Sequence, residues 1–250
     1  MGKALAVAVR KFVRDVIRQL DRETVARIYL KGDGIEIGAL HNRLAVPPSV
    51  HVRYVDRMST PDLRRQYPEL AALDLVDVDI VDDGERLTTI GAATQDFLIA
   101  CQVLEHCQNP LFTLEQWLRV LKDGGVLFMS LPDKRFSFDV DRQATSIDHL
   151  LRDYHEGPEW SRRQHFDEWV RLVEHVAPHN VQTRTDELMR VDYSIHFHAW
   201  TQADMLDLVA TARRLFRCFE IELFLKTDFE VEQVIVLRKT PPSPPAVTPA

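Results

Sequence analysis

Short apolar stretches recur along the first half of the chain, each bounded by glycine, proline or aspartate. They are rich in β-branched and aromatic side chains, a composition that is typical of buried strands. The predicted strands span residues 34–38, 51–56, 75–81, 96–104 and 125–132. This half of the chain therefore predicts five consecutive strands.

The apolar positions change their spacing between the last two of these strands. Leu111, Leu114, Leu118 and Leu121 follow one another at three- and four-residue steps, and the Gly124-Gly125 pair is a helix stop signal. A strand, a helix and a strand at this distance form a parallel pair with a crossover. We therefore predict an α/β fold with a doubly wound, mainly parallel sheet.

The parts outside this pattern differ in character. Residues 1–30 contain one amphipathic helix, predicted to pack on its own domain or to form a homodimer, with a membrane-surface helix as the alternative. Residues 133–200 are charged, hold seven of the ten histidines and show no strand rhythm until near residue 191, so we predict an insert that forms a lid over the acceptor site. Thr201 is predicted to cap a helix, and two antiparallel strands, 218–225 and 232–239, follow it. The main domain is thus predicted over 31–239, and the proline-rich segment 240–250 is predicted to be disordered.

Composition and charge exclude several classes of partner. A chain of 250 residues with 45% hydrophobic content supports one large domain. The net charge of −7 and the pI of 5.8 provide no basic field for nucleic acid or anionic lipid. No segment approaches the ~20 apolar residues of a membrane span, and the apolar stretch 4–9 is too short for a secretory signal. The three cysteines lack CxxC spacing, which favours a reducing cytoplasm.

An acidic residue interrupts the first predicted strand and another ends the second. Glu36 lies between two isoleucines, and Asp56 follows it by 20 positions. A carboxylate about 20 residues after the first strand is typical of a ribose-binding site, because it accepts hydrogen bonds from both vicinal hydroxyls of the ribose. The glycines before the strand do not form GxGxxG, and Pro47-Pro48 prevents a long helix soon after it. We therefore predict a nucleoside ligand that carries an ammonium group and no pyrophosphate.

The ordered motifs of residues 30–239 resemble class I S-adenosylmethionine-dependent methyltransferases, in particular a bacterial group with an E-x-G-A/P first motif. The motifs that carry the resemblance are IEIGALHNR, YVDRMS, DIVDDGERL, CQVLEHCQNP, WLRVLKDGGVLFMSLPDKR and IHFHAWT. The resemblance implies a Rossmann-like fold with seven strands, of which the last is antiparallel, and S-adenosylmethionine as cofactor. Leu40 and Asn42 replace the later glycines of the commonest first motif, so the loop takes another path.

The resemblance also assigns roles around the cofactor, beginning at the methionine and ribose end. It implies that Glu36 orients the ammonium group through the loop and that Gly38 lies under the cofactor. Asp56 is implied to hold the ribose. Gln102, at the end of the fourth strand, is implied to face the methionine end and the acceptor.

The adenine end of the cofactor is assigned to the acidic segment 82–85. Asp83 matches the carboxylate that meets the adenine amino group, and the amide of Gly84 is implied to lie near the ring. This segment lacks the alternating ligands and distal glutamate of a calcium loop, so we expect no metal there. Asp56 and Asp83 as simple turn formers are the alternative.

Two histidines of the insert are candidates for the chemistry. His196 and His198 alternate in a predicted strand, so their side chains would share one face and serve as a general base or as part of a metal site. The sequence spacing supplies no clear third and fourth metal ligand, so we expect no metal. The alternative is that they form hydrogen bonds within the insert. The predicted acceptor-binding residues are Asp133, Arg135, Arg162 and Arg163.

The sequence thus predicts methyl transfer from S-adenosylmethionine to a small polar acceptor, with a sugar or glycan hydroxyl expected. Such a displacement depends mostly on holding donor and acceptor in contact, and a hydroxyl also needs a base for its proton. A non-catalytic nucleoside-binding module that acts as a partner or regulator is the alternative from a different class. Methylation of nucleic acid is disfavoured by the acidic charge.

Overall fold

The computed structural model describes residues 21–227 and 232–241, and a seven-stranded sheet forms its centre. The strands are β1 Asp33–Ile37, β2 His51–Asp56, β3 Ile80–Val81, β4 Gln95–Cys101, β5 Leu121–Pro132, β6 Phe219–Lys226 and β7 Glu232–Lys239. Their order is β3-β2-β1-β4-β5-β7-β6. The first five strands are parallel, and β7 is antiparallel to both β5 and β6. The predicted fold is confirmed.

The strand order reverses direction at β1, which pairs with β2 on one side and with β4 on the other. A crevice outside the carboxyl ends of such strands is the usual ligand site of a doubly wound sheet. Ile37, Asp56 and Cys101 end the three strands that meet there. The topology therefore directs the search for a site to the residues that follow them.

Helices cover both faces of the sheet. Those in the described residues are α1 Arg22–Tyr29, α2 Thr60–Gln66, α3 Pro110–Val120, α4 Ile147–Glu156, α5 Glu159–Leu172, α6 Val181–Arg190 and α7 Gln202–Phe216. On one face, α1 packs Val25 and Leu30 against Phe97 and Phe128. On the other, α3 and α7 pack Trp117 and Leu208 into the larger core. These buried side chains are what fix the sheet between two layers of helices.

The predicted strand over 75–81 is wrong in length, because only Ile80 and Val81 pair with β2. Leu75 instead packs against Leu63, Tyr67 and Leu70, in a small cluster beyond the sheet edge. The apolar composition of this segment therefore reflects burial in a loop rather than strand pairing.

The predicted helix stop at Gly124-Gly125 is also wrong, since α3 ends at Val120 and β5 begins at Leu121. The two glycines lie where the register between β4 and β5 shifts. Gly124 has φ +81°, and a Cβ on Gly125 would lie 2.8 Å from the Lys122 carbonyl oxygen. They permit an irregularity in the strand instead of ending the helix.

The segment 133–200 is helical and has its own small core. Phe166, Val170, Val181, Leu188 and Ile195 pack together, away from the main sheet core. The strand predicted near 191–198 is wrong, because these residues form a turn followed by irregular backbone. The partition into 1–30, 31–239 and 240–250 stays a prediction.

The N-terminal helix over 4–20, the homodimer expected through it and the proline-rich tail fall almost entirely outside the described residues. Within 21–227 and 232–241, no helix combines the length and apolar character that crossing a membrane requires. The three cysteines are free thiols. A cytoplasmic location stays a prediction.

The predicted cap at Thr201 is confirmed and provides a test of helix stability. Its hydroxyl accepts a hydrogen bond from the Asp204 amide, and the Asp204 carboxylate in turn accepts one from the Thr201 amide at 2.8 Å. Thr201→Ala is expected to lower the free energy of unfolding by ~1 kcal/mol in a denaturant titration. Thr183→Ala, at an exposed position within α6, is the control and should stay within ~0.5 kcal/mol of the parent. Equal effects of the two changes would contradict this account.

Candidate active site

A cavity opens at the carboxyl ends of β1, β2 and β4, beneath residues 192–197 of the insert. It has two lobes of about 310 and 260 Å³ that share wall residues. The larger one, the Asp83 lobe, is lined by residues 83–85 and 106–108. The smaller one, the Tyr67 lobe, is lined by Leu40, Leu63, Tyr67, Leu70 and Gln102. The shared wall is Gly38, Asp56, Arg57, Val103, His106, Tyr193 and Ser194.

Asp56 and Gly38 both lie on the shared wall, as their positions after β2 and β1 predict. The Asp56 carboxylate accepts a hydrogen bond of 2.7 Å from the Arg57 amide, and burial raises its pKa. Gly38 has φ +64°, and a Cβ there would lie 3.3 Å from the Val103 side chain. Glycine thus keeps the backbone open on the wall that the two lobes share.

The loop after β3 forms the far wall of the Asp83 lobe. The buried Asp82 carboxylate anchors this loop by accepting hydrogen bonds from the Thr88 hydroxyl and the Thr89 amide. The Gly84 carbonyl accepts a hydrogen bond of 2.8 Å from the Trp117 indole. Asp83 and Gly84 therefore line the lobe on a backbone that the core holds in place.

Unlike Asp56, Glu36 lies off the cavity wall. Its carboxylate is buried, accepts a hydrogen bond of 2.9 Å from the Leu44 amide and does not line the cavity. Burial raises its pKa to about 7. In this structure Glu36 secures the loop that follows β1.

Gln102 lines the Tyr67 lobe immediately after β4. Its backbone has φ +55°, an uncommon conformation for a residue other than glycine. The side-chain amide donates a hydrogen bond of 2.9 Å to Glu232 of β7. The left-handed backbone and this bond together fix the side chain at the base of the lobe.

None of the four predicted acceptor-binding residues lines the cavity. Arg135 forms an ion pair of 2.6 Å with the fully buried Asp133, and neither lines the cavity. Arg163 pairs with Asp186 on an exposed surface. Arg162 reaches the cavity rim indirectly, through an ion pair of 2.7 Å with Asp192.

The same Asp192 connects the insert to the sheet. Arg57 donates hydrogen bonds to the Asp192 carbonyl at 2.7 Å and to the Tyr67 hydroxyl at 2.8 Å. Both partners belong to the cavity wall. Arg57 is a site residue that sequence reasoning missed, although it directly follows the predicted ribose carboxylate.

His196 and His198 do not share a face, because no strand forms around them. The His196 Nδ1 atom lies 2.7 Å from Asp139, and its ring contacts that of His106. His198 is fully buried, packs beside His149 and His165 and lies 3.3 Å from the Gln108 carbonyl oxygen. Neither lines the cavity. The two histidines therefore belong to two separate clusters.

The histidine on the cavity wall is His106, which the VLEH motif places just after β4. Its Nδ1 atom lies 2.9 Å from the Ile195 carbonyl oxygen. A carbonyl only accepts hydrogen bonds, so Nδ1 carries the proton and Nε2 keeps its lone pair. Burial and the neighbouring His196 lower the pKa of His106 to about 3, so the ring is neutral near pH 7.

A buried carboxylate lies behind this ring. Both oxygens of Glu105 lack a hydrogen-bond partner, and burial raises its pKa to about 8. Ligand atoms of Glu105, His106 and His196 lie within 4.8 Å of one another, close enough for one divalent cation to contact all three. The cluster thus offers a proton-accepting centre and a possible cation site at the cavity wall. Sequence reasoning gave Glu105 and His106 no chemical role, although the position of the VLEH motif after β4 was an available signal.

Residues 23–174 match the family described as methyltransferase domain, and the chain belongs to this family. The protein is an S-adenosylmethionine-dependent methyltransferase. No curated protein matches the chain. The family membership favours an enzyme over the non-catalytic alternative.

Solved structures share the fold at low identity. A Haloferax volcanii complex that contains the Trm112 methyltransferase activator matches at 12% identity and TM-score 0.50, over 94% of this chain and 96% of that one. A Rhodobacter sphaeroides protein named as a Zn-dependent alcohol dehydrogenase matches at 14% identity and TM-score 0.54, over 88% of this chain and 90% of that one. At such identities these likenesses concern the fold alone.

The cavity fits a nucleoside cofactor of this kind. It combines a carboxylate on the shared wall, a glycine backbone that leaves room for close approach and a second acidic loop at the far end. None of these features supplies a cradle of amides for a pyrophosphate. These carboxylate acceptors therefore suit a ligand that carries hydroxyl and amino groups.

Proposed function

We propose that this enzyme methylates a hydroxyl group of a small polar acceptor, a sugar or glycan, at the wall where the two lobes meet. The observation that carries the proposal is the neutral His106, whose tautomer is fixed by the Ile195 carbonyl. S-adenosylmethionine supplies an activated methyl group. The protein must supply position and a destination for the hydroxyl proton.

In this proposal the cofactor lies along the Asp83 lobe. Asp56 accepts hydrogen bonds from the ribose hydroxyls, Asp83 and the Gly84 amide meet the adenine, and Gly38 passes under the cofactor. Glu36 acts through the loop after β1, and Gln102 faces the methionine end. The placement of these residues at the carboxyl ends of β1, β2, β3 and β4 supports the assignment.

The acceptor would occupy the Tyr67 lobe, which the insert covers through Tyr193 and Ser194. Its volume of about 260 Å³ suits a small molecule or the end of a glycan. The Ser194 hydroxyl lies 3.1 Å from His106 Nδ1, which keeps a polar group beside the proposed base. Among the predicted acceptor residues, Arg162 is proposed to act by holding Asp192, while Asp133, Arg135 and Arg163 lie away from this wall.

The proton of the acceptor hydroxyl would pass to His106 Nε2. Burial makes an imidazolium costly at this position, so His106 would hold the acceptor proton only until it passes to solvent in the cavity. His196, oriented by the Asp139 carboxylate at 2.7 Å, is proposed to position the His106 ring. His198 has no part in this step, because it lies in the other cluster.

An acceptor screen with isotopically labelled S-adenosylmethionine tests the proposed function. We expect label in hydroxyl-bearing sugars or glycans, with mass spectrometry locating the new methyl group on oxygen. Nucleic acids are the control, since the net charge of −7 disfavours binding of a polyanion. Transfer to nucleic acid or to an amine, with none to hydroxyl acceptors, would contradict the proposal.

A further inference from the structure

A second cluster of histidines lies inside the insert, off the wall of the cavity. His149 comes from α4, His165 from α5 and His198 from the irregular segment before α7. Ligand atoms of the three rings lie within 4.8 Å of one another. The closest pair is His149 Nε2 and His165 Nε2, at 3.1 Å. Three elements that are distant in sequence thus direct imidazole nitrogens at one point.

A buried carboxylate supplies a fourth candidate ligand. Asp153 is fully buried on α4, and its Oδ2 atom has no hydrogen-bond partner. This atom lies 3.2 Å from His149 Nε2 and 4.0 Å from His198 Nε2. A buried charge without a partner is destabilising unless a cation compensates it. A cation held between this oxygen and the imidazole nitrogens would compensate the buried carboxylate.

Other contacts hold these ligands in the orientation a metal requires. The second oxygen of Asp153, Oδ1, accepts a hydrogen bond of 2.9 Å from the Trp160 indole. The Nε2 atom of the buried His198 lies 3.3 Å from the Gln108 carbonyl oxygen, to which it donates, and this leaves the unpartnered Nδ1 as the ligand atom. Hydrogen bonds of this kind, from an imidazole N–H to a carbonyl oxygen or from a donor to the far oxygen of a carboxylate, orient metal ligands in proteins.

We infer that His149, His165, His198 and Asp153 bind one zinc ion. Tetrahedral zinc with bonds of 2.0–2.1 Å places its ligand atoms about 3.3–3.4 Å apart, and the separations of 3.1 Å between His149 and His165 and 3.2 Å between His149 and Asp153 are close to this value. Three imidazoles and one carboxylate suit zinc rather than magnesium or calcium, which prefer oxygen ligands. Four protein ligands close the site, so the ion has a structural role.

The ion would fasten the insert over the cavity. Its ligands join α4 and α5 to the segment that contains Ser194 and Phe197, which line the cavity. The site goes beyond the proposed function and does not depend on the acceptor. Spacing alone could not predict it, because 16 residues separate His149 from His165 and 33 separate His165 from His198.

Metal analysis of the purified full-length protein tests the site directly. We expect about one equivalent of zinc per chain, and Co²⁺ added to chelator-treated protein should give the intense visible absorption of four-coordinate cobalt. His149→Gln and Asp153→Asn should each reduce the bound metal by ~10-fold or more. His155→Gln, at an exposed position on the same helix, is the matched control and should retain the metal.

Two further measurements distinguish zinc at this site from metal at the cluster of Glu105, His106 and His196, and from a variant that loses metal because it fails to fold. Glu105→Gln should retain the zinc, and X-ray absorption should count three imidazole ligands rather than two. Removal of the metal from the parent protein should lower Tm by ~5 °C or more. A chain that binds neither ion, or that binds it equally well after His149→Gln, would overturn the inference. None of these readouts depends on methyl transfer.

Discussion

Replacing His106 with glutamine is expected to lower turnover by ~100-fold or more, because glutamine forms hydrogen bonds but cannot accept the acceptor proton. His106 is the histidine of the cavity wall, and its Nδ1 hydrogen is committed to the Ile195 carbonyl. The affinity for S-adenosylhomocysteine should be nearly unchanged, since the base acts on the acceptor alone. Steady-state kinetics and calorimetry measure the two quantities separately.

His196→Gln should give a smaller loss of turnover than His106→Gln, because His196 contacts the His106 ring and not the cavity. His179→Gln, an exposed position of the insert, is the control and should turn over like the parent. A metal in the cluster of Glu105, His106 and His196 would give a different result: chelation would abolish activity and an added divalent ion would restore it. Glu105→Gln would then prevent this recovery, and the cluster would act through a metal rather than as a base. Unchanged turnover after His106→Gln would remove this residue from the mechanism.

Asp56→Ala is expected to weaken cofactor binding by well over tenfold without unfolding the chain. The change removes two proposed charge-assisted hydrogen bonds to ribose hydroxyls, each worth ~1.5–3 kcal/mol. The carboxylate lies at the end of β2, on the wall shared by both lobes. Calorimetric titration with S-adenosylhomocysteine measures the loss, and circular dichroism checks the fold.

Asp77→Ala is the matched control for this change, because Asp77 is an exposed acidic residue of the loop before β3 and does not line the cavity. Asp56→Asn should fall between the parent and the alanine variant, since it keeps one oxygen and loses the charge. An unchanged dissociation constant for Asp56→Ala would mean that Asp56 only shapes the turn.

Local patterns predicted the sheet well where burial and pairing coincide. The segment HVRYVD forms β2 over its full predicted length, and EQVIVLRK does the same for β7. Thr201 caps α7 as its side-chain chemistry indicates. In the same way, Asp56 and Gly38 reach the cavity because the ends of parallel strands share one edge of the sheet.

Local sequence patterns could not predict features that depend on contacts between residues far apart in the chain. Residues 75–79 are as apolar as a strand, yet Leu75 is buried by Tyr67 across a loop. His196 and His198 alternate as strand residues do, but Asp139 holds the first and the His149 cluster surrounds the second. Such neighbours are fixed by how the insert folds back on the sheet, which no spacing in the sequence records.

Titration of the purified enzyme with S-adenosylmethionine, S-adenosylhomocysteine and NAD tests the central claim most directly. The account predicts one equivalent of either sulfur nucleoside per chain and no heat from NAD, because the cavity offers carboxylates and an open glycine backbone but no cradle for a pyrophosphate. Tight binding of NAD, with no response to either sulfur nucleoside, would contradict it.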